Sequence, residues 1–261
     1  TSGNVLLLIV VLGIGGNFHL GYHVTGLSSP SPLQYIQSFI NSTWYDRYEE
    51  FPSPHMVTMI WSLVVSMFSV GGVFGAFSVK FFTSRLGKKA MICNNFIAII
   101  AAGIMLTSKW AKSFEMIIVA RILYGYSSLG ASLHLMYLME ISPRKIRGIV
   151  TLTSATFGSL GKLSAQEILG REDQWNIVLF VPGCFSLVPI MVLPLLPESP
   201  RYLFIEKGDD KECKKLQSLW GQGDYKQEMD EMLIEQAAIE AAPPKNPLQL
   251  LRDRTVRWQL I

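Results

Sequence analysis

Charged side chains are scarce in this sequence, and those beside or inside its apolar stretches are the ones that could do chemistry. Three groups sit where apolar stretches end: Arg85 with Lys88 and Lys89, Glu140 with Arg147, and Glu198 with Arg201. One reading is topological, with basic residues holding helix ends on one side of a bilayer. The other is interhelical ion pairing, with Glu140 and Glu198 accepting from the arginines, since acids contribute little to the orientation rule. Single exposed pairs contribute little. A network made in one conformation and broken in another can still bias an equilibrium by on the order of a few kcal/mol.

Two cations lie inside apolar stretches. Arg121 and Lys162 must each snorkel, pair or face an aqueous cavity. His19, His23 and His134 are the spanning residues able to carry a proton, although membrane histidines also serve simply as hydrogen-bonding groups. No Asp or Glu lies deep in a stretch. No nucleophile–base arrangement, metal-ligand spacing or phosphate loop is present. Gly13-Ile14-Gly15-Gly16 opens like a dinucleotide loop, but Phe18 stands where its last glycine belongs. Cys93, Cys184 and Cys213 are too scattered to pair or to hold a metal. Enzyme chemistry, cofactors and nucleic acid are therefore not expected, and the net charge of +3 adds no argument for them.

The elements that must position these residues are membrane helices. The 261 residues are 49% hydrophobic and 16% charged. Soluble domains average about 25% charged residues. Apolar stretches fall at 4–27, 57–79, 90–107, 116–139, 149–165 and 176–196. Crossing the hydrocarbon takes about 20 residues. The first stretch is expected to be a true span rather than a signal peptide, because no basic region precedes it. The fifth is the most polar, which suits a helix that lines something. Gly71 and Gly75 stand in the small-xxx-small relation that lets helices approach in lipid.

The turns at 84–89 and 140–148 are basic, whereas the expected loops at 28–56 and 166–175 are mostly acidic. The positive-inside rule then puts both termini in the cytoplasm, with Lys109 and Lys112 as a mild exception. Asn41-Ser42-Thr43 is a glycosylation acceptor in the loop this orientation places outside. After residue 196 the chain turns polar. Short helices are expected at 205–221 and 224–241 and after Pro247.

These motifs resemble those of the facilitative hexose transporters, in the sugar-porter branch of the major facilitator superfamily. SVGGVFGAFSVKFFTSRLGKK is similar to their motif between the second and third helices, with Arg85, Gly87, Lys88 and Lys89 on its R-x-G-[RK]-[RK] core. Arg121 matches the fourth-helix arginine. Glu140, Ser142, Pro143, Arg147 and Gly148 resemble the next motif, and PESPRYL at 197–203 the signature after the sixth helix. The likeness is strongest to the class II branch, near the member 11 and member 9 types.

The resemblance implies an all-α membrane protein: the six-helix N-terminal half of this fold over 1–200, and a cytoplasmic helical linker over 201–261. It implies a missing C-terminal six-helix half as partner, a lipid bilayer, a small sugar substrate, and plasma-membrane location. Uniport of glucose or fructose by alternating access is the function implied. A truncated, non-transporting chain that associates with a full-length transporter is the alternative, with proton-coupled or urate-like anion transport behind it. The cytoplasmic gate would be Arg85, Lys88, Lys89, Glu140, Arg147, Glu198 and Arg201. Sugar-site candidates carried over are His19, Ala155, Gly158, Lys162 and Gln166. Several depart from the family pattern: Ala155 replaces its fifth-helix glutamine, Gly158 and Lys162 replace apolar cavity residues, and His23 stands where proton-coupled members have Asp. The short 166–175 connection is expected to end the fifth span early.

Overall fold

A computed structural model describes residues 9–26, 30–142, 144–168 and 175–196, together with 233, 234, 237 and 241. The chain divides into two compact units, Thr1–Ser199 and Pro200–Ile261. The four described residues of the second unit are helical and exposed. Glu198, Arg201 and nearly all of the expected linker helices lie outside the described residues.

Among its described residues the first unit is helical, with turns and short connections between helices. Helix α1 covers 9–26, with a π-helical segment, Ile14–Phe18, before it resumes as His19–Gly26. Next come α2 (Pro30–Tyr48), α3 (Pro54–Leu86) and α4 (Lys88–Ser108). A bent span follows as α5 (Phe114–Ser127) and α6 (Leu129–Ile141). Then come α7 (Arg144–Ile168), α8 (Trp175–Phe185), α9 (Leu187–Val192) and a 3₁₀ turn, Leu193–Leu195.

The described parts of all six expected stretches are helical. Among the described residues three helices are long and apolar enough to cross a membrane by length and composition: Pro54–Val79, Lys88–Ser108 and Phe114–Ile141. The last stretch is broken near Ser186, where Pro182 and Pro189 remove backbone donors. The fifth does not stop early, since α7 continues to Ile168.

The structure corrects the expected loop at 28–56, because 30–48 is helical. Prolines 30 and 32 fall in its first turn, where a missing N–H leaves no hydrogen bond unmade. The apolar spacing that stabilises it was present in the sequence: Ile36 and Ile40 are fully buried and pack with Phe39 and Trp44.

Among the described residues two large hydrophobic cores occupy opposite ends of the unit, beside a small cluster of Tyr22, Ala165 and Phe18. One joins α2, α3, α4, α5 and α8 through Ile36, Val64, Met105, Ile117, Tyr124 and Leu179. The other joins α1, α4, α6, α7 and the 3₁₀ turn through Leu12, Met91, Leu133, Val150 and Leu193.

The basic turn lies beside the second core. Gly87 is at once the last cap of α3 and the cap that opens α4, at φ 52° and ψ −129°. Side chains are strained at that φ, which gives the glycine of R-x-G-K-K a physical reason.

Candidate functional site

A cleft of about 410 Å³ opens between α1 and α7. From α1 it takes Asn17, Leu20, Gly21 and Val24, spaced to share one helix face. From α7 it takes Thr151, Ser154, Ala155, Gly158, Ser159 and Lys162, with Leu135 of α6 closing one side. Three of the sequence-derived candidates, Ala155, Gly158 and Lys162, therefore meet in one place. His19 and Gln166 are not in its lining.

The walls come together because glycines remove the side chains between them. A Cβ on Gly21 would collide with the Gly158 carbonyl oxygen, and one on Gly161 with the Phe18 carbonyl oxygen. These are backbone contacts, so no rotamer change could make room. The segment Gly13-Ile14-Gly15-Gly16 does similar work. A Cβ on Gly13 would strike the Phe157 ring of α7, and one on Gly15 would strike Pro189 of α9. Its glycines serve packing rather than phosphate binding.

Asn17 lies in the π-helical segment and donates a side-chain hydrogen bond to the Ser154 hydroxyl, linking the two walls. Neither residue stood out in the sequence. The signal was a polar Asn beside two glycines within an apolar run, and π segments occur often at functional sites.

Lys162 is exposed and lines the cleft. Lys162 stands six residues before the end of α7, and a lysine within an apolar stretch must snorkel, pair or face an aqueous cavity. Helix α7 distributes its residues accordingly. Val150, Ser154 and Ala165 are buried, whereas Ile149, Leu152, Leu160 and Leu163 form an exposed apolar stripe.

Arg121 does not reach the cleft. It is 2% exposed, lies 4.7 Å over the Phe68 ring, and donates to the His23 carbonyl oxygen at 3.5 Å. The His23 ring lies tilted against Tyr124 with centroids 3.9 Å apart, and His19 meets His23 edge-on at 4.6 Å. His134, on α6, contacts the Gly130 carbonyl oxygen at 2.5 Å and Asn95 at 3.4 Å. These groups form the polar interior of the bundle.

At the basic end, the Lys88 ammonium donates to the Leu196 carbonyl oxygen at 2.5 Å, tying the α3–α4 turn to the close of the last span. Arg147 Nε donates to the Ser142 carbonyl oxygen at 3.1 Å, and Arg85 lies 4.5 Å over the Phe81 ring. Glu140 is half-buried at the end of α6 and Lys89 is exposed. Glu198 and Arg201 fall outside the described residues.

The opposite end carries two ion pairs among the described residues. Arg47 meets Glu115 at 2.5 Å, and Lys112 meets Asp46 at 2.6 Å. Hydrogen bonding to Glu115 raises the Arg47 pKa above its ordinary value. Asn41 is half-buried on α2, while Thr43 of the same acceptor triplet is 2% exposed.

Residues 8–261 match the family described as Sugar (and other) transporter. The chain is 39% identical over 272 residues to the human solute carrier family 2, facilitated glucose transporter member 11, covering 99% of the chain and 54% of that protein. It is 37% identical to the sheep member 5 over 265 residues, 98% of the chain and 52% of the relative. With the mouse member 9 it shares 38% identity over 268 residues, 100% and 49% of the two. The chain thus spans about half the length of the curated relatives it matches. Among solved structures it is similar to the major facilitator superfamily proton:xylose symporter XylE bound to 6-bromo-6-deoxy-D-glucose. That match has TM-score 0.78 and 16% identity over 92% of the chain and 55% of the symporter. An inward open conformation of the E. coli xylose transporter XylE matches at TM-score 0.73 and 16% identity, over 93% and 57%.

Proposed function

Because the chain belongs to the sugar (and other) transporter family, we propose that it is the N-terminal six-helix half, with linker, of a facilitative hexose carrier. This family consists of transporters rather than enzymes, and the chain is an all-α membrane protein of the major facilitator fold. The proposed activity is downhill uniport of glucose or fructose by alternating access. A second six-helix half would close over the α1–α7 cleft from the other side. The proposed division places the bundle at 1–200 and the linker at 201–261.

The single observation that carries this reading is the cleft, which brings Asn17, Ser154, Ala155 and Gly158 together in a chain of this family. Asn17 and Ser154 offer hydrogen-bonding groups of the kind a polyhydroxylated substrate needs. His19 and Gln166 remain proposed site residues although neither lines this cleft, His19 packing instead against His23 and Tyr124. The inside gate is proposed to be Arg85, Lys88, Lys89, Glu140, Arg147, Glu198 and Arg201, with Arg121 a structural cation of the bundle. The basic end would face the cytoplasm, both termini with it, in the plasma membrane. Asn41 would then be outside and open to glycosylation before α2 folds.

Uptake of labelled D-glucose and D-fructose into proteoliposomes tests the proposal. The full-length product is expected to give saturable flux with no need for an inward proton gradient, and the present chain alone to give none. Saturable flux from the present chain alone would overturn the half-carrier reading. Flux that requires the gradient would overturn uniport.

A further inference from the structure

We propose that the α1–α7 cleft selects a monosaccharide-sized polyol bearing one negative charge, such as a hexuronate, with Lys162 as the selecting residue. This deepens the carrier reading and rests on it.

The donors and acceptors of the cleft are unevenly shared. The Thr151 hydroxyl donates to the Arg147 carbonyl oxygen at 3.0 Å, and the Ser159 hydroxyl to the Ala155 carbonyl oxygen at 3.3 Å. Their protons are thus committed to the helix backbone, which leaves their oxygens as acceptors for a sugar hydroxyl. Asn17 donates to Ser154. Lys162 differs from all of these: its ammonium brings three donors, no acceptor and a full positive charge.

Among the described residues that line the cleft none is Asp or Glu, so no lining carboxylate among them neutralises that charge. A neutral hexose would leave the charge uncompensated in a setting where water is displaced and charges are poorly screened. A carboxylate on the substrate would compensate it through a charge-assisted hydrogen bond, the stronger kind.

Size agrees with the class. The cleft volume is about 410 Å³ on this wall of the site. That is room for one sugar ring on the scale of small-molecule sites. Ala155 and Gly158 are small beside Lys162, and Gly158 is not pressed on by its neighbours, since a Cβ there would make only ordinary contact with Asn17 at 3.6 Å. The ring hydroxyls then have Asn17, Ser154 and the acceptor oxygens of Thr151 and Ser159.

The test is uptake by the full-length product in proteoliposomes, with D-glucuronate, its uncharged methyl ester and D-glucose as probes. Glucuronate is expected to be taken up at least about tenfold more efficiently than its methyl ester, the ratio expected for one hydrogen bond to a charged group. Lys162→Gln should collapse that ratio towards unity, and Lys162→Arg should keep most of it. Because the ester comparison uses the unaltered protein, it decides the matter even where a variant fails to fold. Equal uptake of acid and ester, or a ratio that Lys162→Gln leaves intact, overturns the selecting role while glucose flux leaves the carrier reading standing. Absence of saturable flux for all three probes overturns both.

Discussion

Two seams in this bundle are built by the same device and come out differently. Helices α3 and α5 cross with Gly71 against the Ile122 carbonyl oxygen and Gly125 against the Phe68 carbonyl oxygen. Helices α1 and α7 cross with Gly21 against Gly158 and Gly161 against Phe18. Both pairs achieve backbone contact, which in lipid supplies van der Waals packing that the hydrophobic effect cannot. The α3–α5 seam is flanked by Val64, Phe68 and Ile117 and joins the larger core. The α1–α7 seam is flanked by Asn17, Ser154 and Lys162 and opens into the cleft. Glycine thus sets how close two helices come. The residues beside the glycines decide whether the crossing is a strut or a site.

The sharpest way to break the comparison is Gly125→Val. Both surfaces are backbone and the surroundings are packed, so the usual overpacking cost of about 1–3 kcal/mol should be exceeded. The expected outcome is little or no folded protein by size-exclusion chromatography in detergent, with hexose flux lost in consequence. Gly21→Val meets a backbone obstacle too, the Gly158 carbonyl oxygen, but should cost less, about 1–3 kcal/mol, because α7 can shift from α1 on the side that the cleft leaves unpacked. Folded protein should be recovered with a lowered melting temperature, yet with hexose uptake abolished because the cleft is reshaped. Equal thermal shifts from the two variants would show that the seams do not differ.

Ser154→Ala sharpens the comparison within the second seam. It removes the acceptor of the Asn17 amide, a bond worth about 1 kcal/mol. The effect should be read mainly as a severalfold rise in KM for hexose, with a smaller thermal shift. A large thermal shift with unchanged KM would make the pair a strut. Arg47→Gln should do least. The Arg47 and Glu115 side chains are 34% and 49% exposed. Exposed pairs contribute about 0.2–1 kcal/mol. The melting temperature should drop slightly at low salt, converge with the parent at high salt, and leave hexose KM alone.

Much of the fold was legible in the residues. Six apolar stretches proved helical where described, and the glycine in R-x-G-K-K sits at positive φ between two helices that share it as a cap. Helix α2 was missed, because Pro30, Pro32, Ser and Asn masked the spacing of Ile36, Phe39 and Ile40. Three of the five carried-over site positions reached the cleft, while His19 turned inward to His23 and Tyr124. Asn17 and Ser154 escaped notice because each is an ordinary residue on its own helix. Only their pairing across 137 positions gives them a role.

The sequence by itself determined that this chain is a helical membrane protein, roughly where its spans lie, where basic turns end them, and which family it resembles. Those properties are sums over contiguous residues: hydropathy along about 20 positions, charge in a short turn, and local backbone freedom at Gly87. The tertiary structure decided which glycine faces which carbonyl, and so which helices touch. It decided that Lys162 lines a cleft with Asn17 while Arg121, equally charged, is buried against Phe68. That choice depends on how distant helices pack against one another, a quantity that no window along the chain contains.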